Sequence, residues 1–176
     1  AIQFGLPYVF SAEVLAAAGR VPLQVSNEDI AGREDLRHVN FVTIDGETAK
    51  DFDDAVAIAR SADGYRLWVA IADVAHYVAV GSVIDKEALE RGTSVYFPDR
   101  CIPMLPPELS EGVCSLKSGV NRLTITVEIP IRPGGTPGTP SFHPSVIRSR
   151  ARLTYEEVHS FLGTGTLETK GGKPGG

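Results

Sequence analysis

Residues 40–72 read NFVTIDGETAKDFDDAVAIARSADGYRLWVAIA, and this stretch decides the fold. Phe41, Val42, Thr43 and Ile44 form a β-prone run that ends at Asp45, and from Asp54 to Arg60 Ala alternates with Val and Ile. Two strands are predicted there, joined by an acidic loop. From Tyr65 to Ala72, Tyr65, Leu67, Val69 and Ile71 lie on one face and Arg66, Trp68 and Ala70 on the other. Ala62-Asp63-Gly64 just before it is a turn signal, so strands 54–60 and 65–72 are expected to pair.

Working outward, Leu123–Ile131 has the clearest period of two: Leu123, Ile125, Val127, Ile129 and Ile131 face one way, Thr124, Thr126 and Glu128 the other. It predicts a half-buried strand. After the loop RPGGTPGTP (132–140), residues 142–153 are expected to return as its hairpin partner. Helices are expected where caps bracket helix-prone runs: Ser11 and Gly19 around 12–18, Ser82 and Gly92 around 83–91, and a Thr154/Glu157 capping box opening a helix to about Leu162. Residues 101–122, with Pro103, Pro106 and Pro107, read as irregular structure. Strands and helices mix without regular βαβ alternation. The expected class is therefore α+β, a mixed, mainly antiparallel sheet with flanking helices. Residues 1–162 form its ordered part. The segment GTGTLETKGGKPGG (163–176) has too few apolar groups to offset the entropy of ordering, and is expected to be a flexible tail.

The 176 residues, 43% of them hydrophobic, suffice for one core, and no apolar run approaches the roughly 20 residues of a membrane span. Cys101 and Cys114 lack CxxC or zinc spacing, so a reduced, cytoplasmic protein is expected. The net charge of −5 is unevenly spread: residues 1–99 hold 8 basic against 16 acidic side chains, residues 100–153 hold 7 against 3. A protein that only coats nucleic acid is usually basic overall. An acidic centre beside a basic stretch fits phosphodiester chemistry better, with carboxylates holding cations and arginines holding the polyanion.

Asp45, Glu47, Asp51, Asp53 and Asp54 put five acids within ten residues, relieved by Lys50 alone. Converging carboxylates repel, so they need a cation or bulk water. The two strand ends bring the segment to one edge, and Asp51 and Asp53, two apart in extended chain, share a face. Hard oxygen ligands of this kind suit Mg²⁺ or Mn²⁺. An EF-hand is excluded, because counting from Asp45 puts Lys50 and Val56 where Gly and Glu are required. Asp51-Phe52-Asp53 also matches the short DxD pattern of sugar transferases, and a merely solvated acidic loop is the plain alternative.

The segments DLRHVNFVTIDGETAKDFDDAVAI (35–58) and LWVAIADVAHYVAVGSVIDKEALERGTSVYFPDRCIPMLPPELSEGVCSL (67–116) resemble the catalytic (RNB) domain of the ribonuclease II and ribonuclease R family, the ribonuclease R branch most of all. The likeness covers about residues 1–162, the N-terminal portion of such a domain. It implies a processive, Mg²⁺-dependent, hydrolytic 3′-to-5′ exoribonuclease that acts on single-stranded RNA and releases nucleoside 5′-monophosphates. The family's Asp-x5-Asp-x-Asp-Asp motif falls on Asp45, Asp51, Asp53 and Asp54. The resemblance makes these the metal-binding and catalytic residues of a two-metal mechanism, with Asp45 and Asp54 as direct ligands and Asp53 the most important for catalysis. Tyr96 matches the aromatic residue that stacks on RNA bases near the 3′ end.

Arg148, Arg150 and Arg152 alternate along an expected strand and could face phosphates; an edge strand guarded by charge is the alternative. His76, three after Asp73, could suggest an acid–base pair, but the resemblance puts it in a family strand motif with no catalytic assignment, and it reads as structural; His38, His143 and His159 sit at no useful spacing and read as structural too. The resemblance further implies partners: the remaining half of the catalytic domain, with an arginine on the scissile phosphate, and OB-fold modules of the cold-shock and S1 types. An inert RNA-binding scaffold of the same fold is the competing reading, and the four aspartates argue against it.

Overall fold

The computed structural model describes residues 7–166, and its element order is α1 (Ala12–Ala18), α2 (Asn27–Ile30), β1 (Glu34–Asp35), β2 (Val42–Asp45), β3 (Asp54–Ser61), β4 (Gly64–Ala72), α3 (Val74–Tyr77), α4 (Val83–Arg91), β5 (Val95–Tyr96), β6 (Cys101–Ile102), β7 (Asn121–Ile131), β8 (Ser141–Arg148), β9 (Ala151–Thr154) and α5 (Tyr155–Thr164). A π-helical turn, Leu109–Val113, lies between β6 and β7. Seven strands form one sheet in the order β1-β8-β7-β4-β3-β2-β9, and β5-β6 form a separate ribbon. Only the outer pairs, β1 with β8 and β2 with β9, are parallel. The class is the mainly antiparallel α+β architecture that the patterning predicts.

The capping chemistry sets the helix ends. Ser11, Ser26, Ser82 and Thr154 each accept a hydrogen bond from the backbone N–H three residues on, each worth about 1 kcal/mol. Glu157 closes the expected box by accepting from Thr154 N at 2.8 Å. Helix α5 runs to Thr164, two residues past the expected end, and stops at the left-handed Gly165. The rest of the expected tail, 167–176, falls outside the described residues. The short helices α2 and α3 carry too little periodicity to be foreseen.

The β3–β4 turn closes through Gly64. Its φ is +124°, and a Cβ there would lie 2.2 Å from the Ile131 carbonyl oxygen. No other residue type fits.

One sheet face is packed. Phe41, Ala55, Ala57, Trp68, Ala70 and Ile147 are buried with Phe52, Leu116 and Leu36. A second cluster joins α1 and α4 to the π turn through Val14, Ala18, Ile84, Leu109 and Val113. The packed face of β7 is the hydroxylic one: Thr124 and Thr126 are fully buried, and their hydroxyls meet Ser145 Oγ at 2.8 and 2.7 Å. Mutual hydrogen bonding removes the cost of burying them. The opposite face carries the long aliphatic side chains and stays largely open. Ile58 and Phe142 are each 66% exposed there, and Ile71 45%. Helix α5 contacts β9 and β2.

The expected long return strand is broken. β8 stops at Arg148, and β9 resumes at Ala151 on the far side of the sheet. The switch occurs because Arg150 N bonds Phe41 O at 2.7 Å and Ser149 O accepts from Gly119 N at 2.8 Å, turning the chain from β7 to β2. Arg148, Arg150 and Arg152 therefore do not share a strand face, contrary to the alternation reading.

Candidate active site

Antiparallel pairing of Val42 with Val56 brings the end of β2 to the start of β3, so Asp45 and Asp54 stand at the two mouths of loop 46–53. Phe52 is the loop's anchor. It is buried, its N–H donates to Ser115 Oγ at 3.1 Å, and its carbonyl accepts from Leu116 N at 2.9 Å. Ser115 Oγ in turn donates to Lys50 O at 2.8 Å. With Phe52 pulled inward, the alternation of extended chain turns Asp51 and Asp53 the other way. Asp53 O also accepts from Ala72 N at 2.9 Å, tying the loop's exit to β4.

Two arginines support this framework. Arg122 is buried and donates to the carbonyls of Ser115 at 2.8 Å, Asn121 at 3.0 Å and Gly112 at 3.2 Å. It is a structural clamp beneath Ser115, not part of a free basic surface. Arg152 donates through Nη2 to the carbonyls of Gly46, at 3.0 Å, and Glu47. Its guanidinium also lies 5.3 Å from the Phe52 ring centroid. Neither Ser115 nor Arg122 was picked out from sequence, because the contacts join residues up to 65 apart with no local pattern. Replacing Ser115 by Ala is expected to cost about 2 kcal/mol, since the buried Phe52 N–H loses its acceptor. A urea melt against the parent measures it.

The electrostatics are those of converging carboxylates. The Asp53 carboxyl retains solvent access, yet its pKa is raised, first by partial loss of hydration and then by Asp51, Asp54 and Asp45. The four acids thus feel one another across the loop. Among the described residues no three His, Cys, Asp or Glu side chains are gathered closely enough to enclose a single ion. The donor set nonetheless fits a hard divalent cation that takes its remaining ligands from water and phosphate. All four are carboxylates, and the nearest amine, Lys50, is turned toward Glu111 at 3.9 Å.

Tyr96, on the β5–β6 ribbon, is 67% exposed, and its hydroxyl donates to Asp51 Oδ2 at 2.9 Å. That bond pushes the phenol up to about 12, so it remains a donor. Arg148 is exposed at the end of β8, and Arg150 donates to the Arg37 carbonyl at 3.3 Å. His76 sits in helix α3, not in a strand. It bonds Asp29 at 3.0 Å and faces Arg33, which pairs with Asp73 at 2.7 Å. Cys114 is buried, and burial pushes its thiol up to about 12, which removes it as a nucleophile.

The chain as a whole has counterparts among known proteins. Residues 33–172 match the RNB domain family. The chain belongs to that family. Ribonuclease R of Thermotoga maritima is 50% identical over 157 residues, which is 89% of this chain and 22% of that protein. The structure of Mycoplasma genitalium RNase R in complex with double-stranded RNA superposes with a TM-score of 0.90 at 34% identity, covering 96% of this chain and 30% of that one. Yeast Ssd1, a pseudonuclease, shares the fold at 21% identity with a TM-score of 0.74 over 85% of this chain and 19% of its own. The chain thus spans about a fifth of the length of the curated relatives it matches. Among the described residues no helix is long and apolar enough to cross a membrane.

Proposed function

We propose that this chain carries the metal-binding portion of a processive 3′-to-5′ exoribonuclease that degrades single-stranded RNA to nucleoside 5′-monophosphates. The observation that carries the reading is the set of four aspartates, Asp45, Asp51, Asp53 and Asp54, at the two mouths and along the rim of one anchored loop, whose own amine, Lys50, is turned toward Glu111. Membership of the RNB family and the ribonuclease R relatives support it. Asp45 and Asp54 are assigned as direct Mg²⁺ ligands, Mn²⁺ being able to substitute, with Asp51 and Asp53 completing the set. Bound divalent ions would supply an activated water and stabilise the leaving 3′ oxygen.

The chain's own residues divide the remaining work. Ser115, Phe52 and Arg152 hold the loop so that the carboxylates are placed before RNA arrives, which is where preorganisation contributes most. The exposed Tyr96 ring offers a stacking surface for a base near the 3′ end, a contact that reads no sequence. Arg148 and Arg150 are proposed phosphate contacts, as is Arg152 through N–H groups not engaged by the loop carbonyls. The remainder of the catalytic domain and OB-fold modules, which the family resemblance implies, are the proposed partners within a full-length cytoplasmic protein.

The test uses 5′-labelled single-stranded RNA with the full-length protein and Mg²⁺. A short limit product with released 5′-monophosphates supports the enzyme. RNA that is bound but left intact favours an inert scaffold, of which a pseudonuclease with this fold is a precedent.

A further inference from the structure

Asp51 is the one aspartate of the four that lies within the irregular loop without a strand or a β4 contact to fix it, and among the described residues its hydrogen bond comes from Tyr96 Oη, 45 residues along the chain. We propose that Tyr96 is a positioning residue for the metal site, its hydroxyl holding the Asp51 carboxylate toward the other aspartates while its ring remains free for RNA. This inference rests on the exoribonuclease reading above and deepens it.

Without a restraint, the Asp51 side chain would rotate away from Asp53 and Asp54 into solvent, because like charges at short range disfavour convergence. A phenol is neutral, so it can restrain the carboxylate without removing the negative charge a cation needs. It also leaves capacity: a carboxylate has about four lone-pair sites, and Tyr96 occupies one on Oδ2, leaving Oδ1 free for a metal. The ribbon that carries Tyr96 is itself held. Tyr96 is paired with Cys101, Phe97 N bonds Arg100 O at 2.8 Å, and Ser94 Oγ accepts from Met104 N at 2.9 Å. The hydroxyl is therefore presented from a fixed strand and not from a free loop tip. A base stacked on the ring would steady the same side chain, so RNA and metal binding are coupled through one residue, each tightening the other.

The two functions separate in two variants of the full-length protein. Mn²⁺ binding is read by electron paramagnetic resonance of the free ion, without RNA, and the limit-product length is read on labelled RNA. Tyr96→Phe keeps the ring and loses the hydroxyl. It is expected to weaken Mn²⁺ binding about 5- to 10-fold, the scale of one net hydrogen bond, while the limit product, read at saturating Mn²⁺, keeps the parent's length. Tyr96→Ala is expected to weaken Mn²⁺ binding equally and also to lengthen or blur the limit product, since a stacking contact is lost. Unaltered thermal melting of both variants excludes a folding defect, as the side chain is exposed. Unchanged or tighter Mn²⁺ binding by Tyr96→Phe, in a parent that binds Mn²⁺ and degrades RNA, overturns the positioning role alone. A parent that neither binds Mn²⁺ nor degrades RNA overturns this role together with the proposed function.

Discussion

Asp53→Asn is expected to abolish most RNA turnover, by a factor of at least 100, while RNA binding stays within a few-fold of the parent. Asn reproduces the shape of Asp and removes its charge. The Asp53 carboxyl is pushed up first by partial loss of hydration and then by Asp51, Asp54 and Asp45, so it sits half-desolvated where their fields overlap. A group at that focus matters most once a cation and a phosphate must be held together, and losing one preorganised charge there costs roughly 3 kcal/mol in the transition state, about a hundredfold in rate. Retained turnover in single-turnover assays with saturating enzyme would remove Asp53 from the chemistry.

The same substitution has a second effect of opposite sign on stability. Because the folded-state pKa of Asp53 is raised, its ionised form is disfavoured in the fold, and its contribution to stability is fully present only below the ordinary carboxylate range of the unfolded chain. That contribution is lost as pH rises through the folded value. At neutral pH and without metal, Asp53→Asn is therefore expected to melt at a higher temperature than the parent, and the gap is expected to close as pH falls into the carboxylate range. Adding Mg²⁺ should raise the parent's melting temperature more than the variant's. A variant less stable than the parent at neutral pH would contradict the electrostatic account. Function and stability pull apart at this residue, as they do where a site is built by forcing like charges together.

The strands of residues 40–72 were legible because each carries a local signal: β-branched runs, alternation, and the Asp63-Gly64 turn. The helix ends were legible because Ser11, Ser82, Thr154 and Glu157 act within three residues of themselves. The sheet's orientation was not. Alternation in β7 separates two faces without saying which is packed, and the face bearing Thr124 and Thr126 is buried because Ser145, from another strand, satisfies both hydroxyls. The break between Arg148 and Ala151 was hidden for a related reason, since it depends on Phe41 and Gly119, which are distant in sequence. At the candidate site the acids are visible as a cluster, whereas Ser115, Arg122 and the loop-facing head of Arg152 act only through tertiary contacts. The candidate metal ligands stand out by type and spacing, and the residues that place them do not.

Residues 1–176 expressed alone are expected to show no processive exonuclease activity and to associate in solution. The reason lies in the sheet. Ile58, Tyr65, Ile71, Phe142 and Ile125 stand on the face opposite the packed core, each between 38% and 66% exposed, and the register sets them side by side: Ile71 opposite Ile125, Val69 opposite Val127, Leu67 opposite Ile129, Val127 opposite Phe142. A contiguous apolar surface of this kind is more than a soluble monomer ordinarily leaves in water. Turnover makes a further demand. Processive degradation requires several nucleotides to be held in a channel with the scissile phosphate in line, and oriented positive charge on that phosphate. Arg148, Arg150 and Arg152 lie at the end of β8, in the linker and on β9, and Arg150 and Arg152 already donate to backbone carbonyls. Covering the open face should therefore be coupled to catalysis, so that co-expression with the remainder of the catalytic domain restores monodispersity and turnover together. Size-exclusion chromatography with light scattering and a labelled-RNA assay on the same fractions measure both. A monodisperse preparation of residues 1–176 that degrades RNA processively would show that the apolar face needs no cover and that these residues alone complete the site.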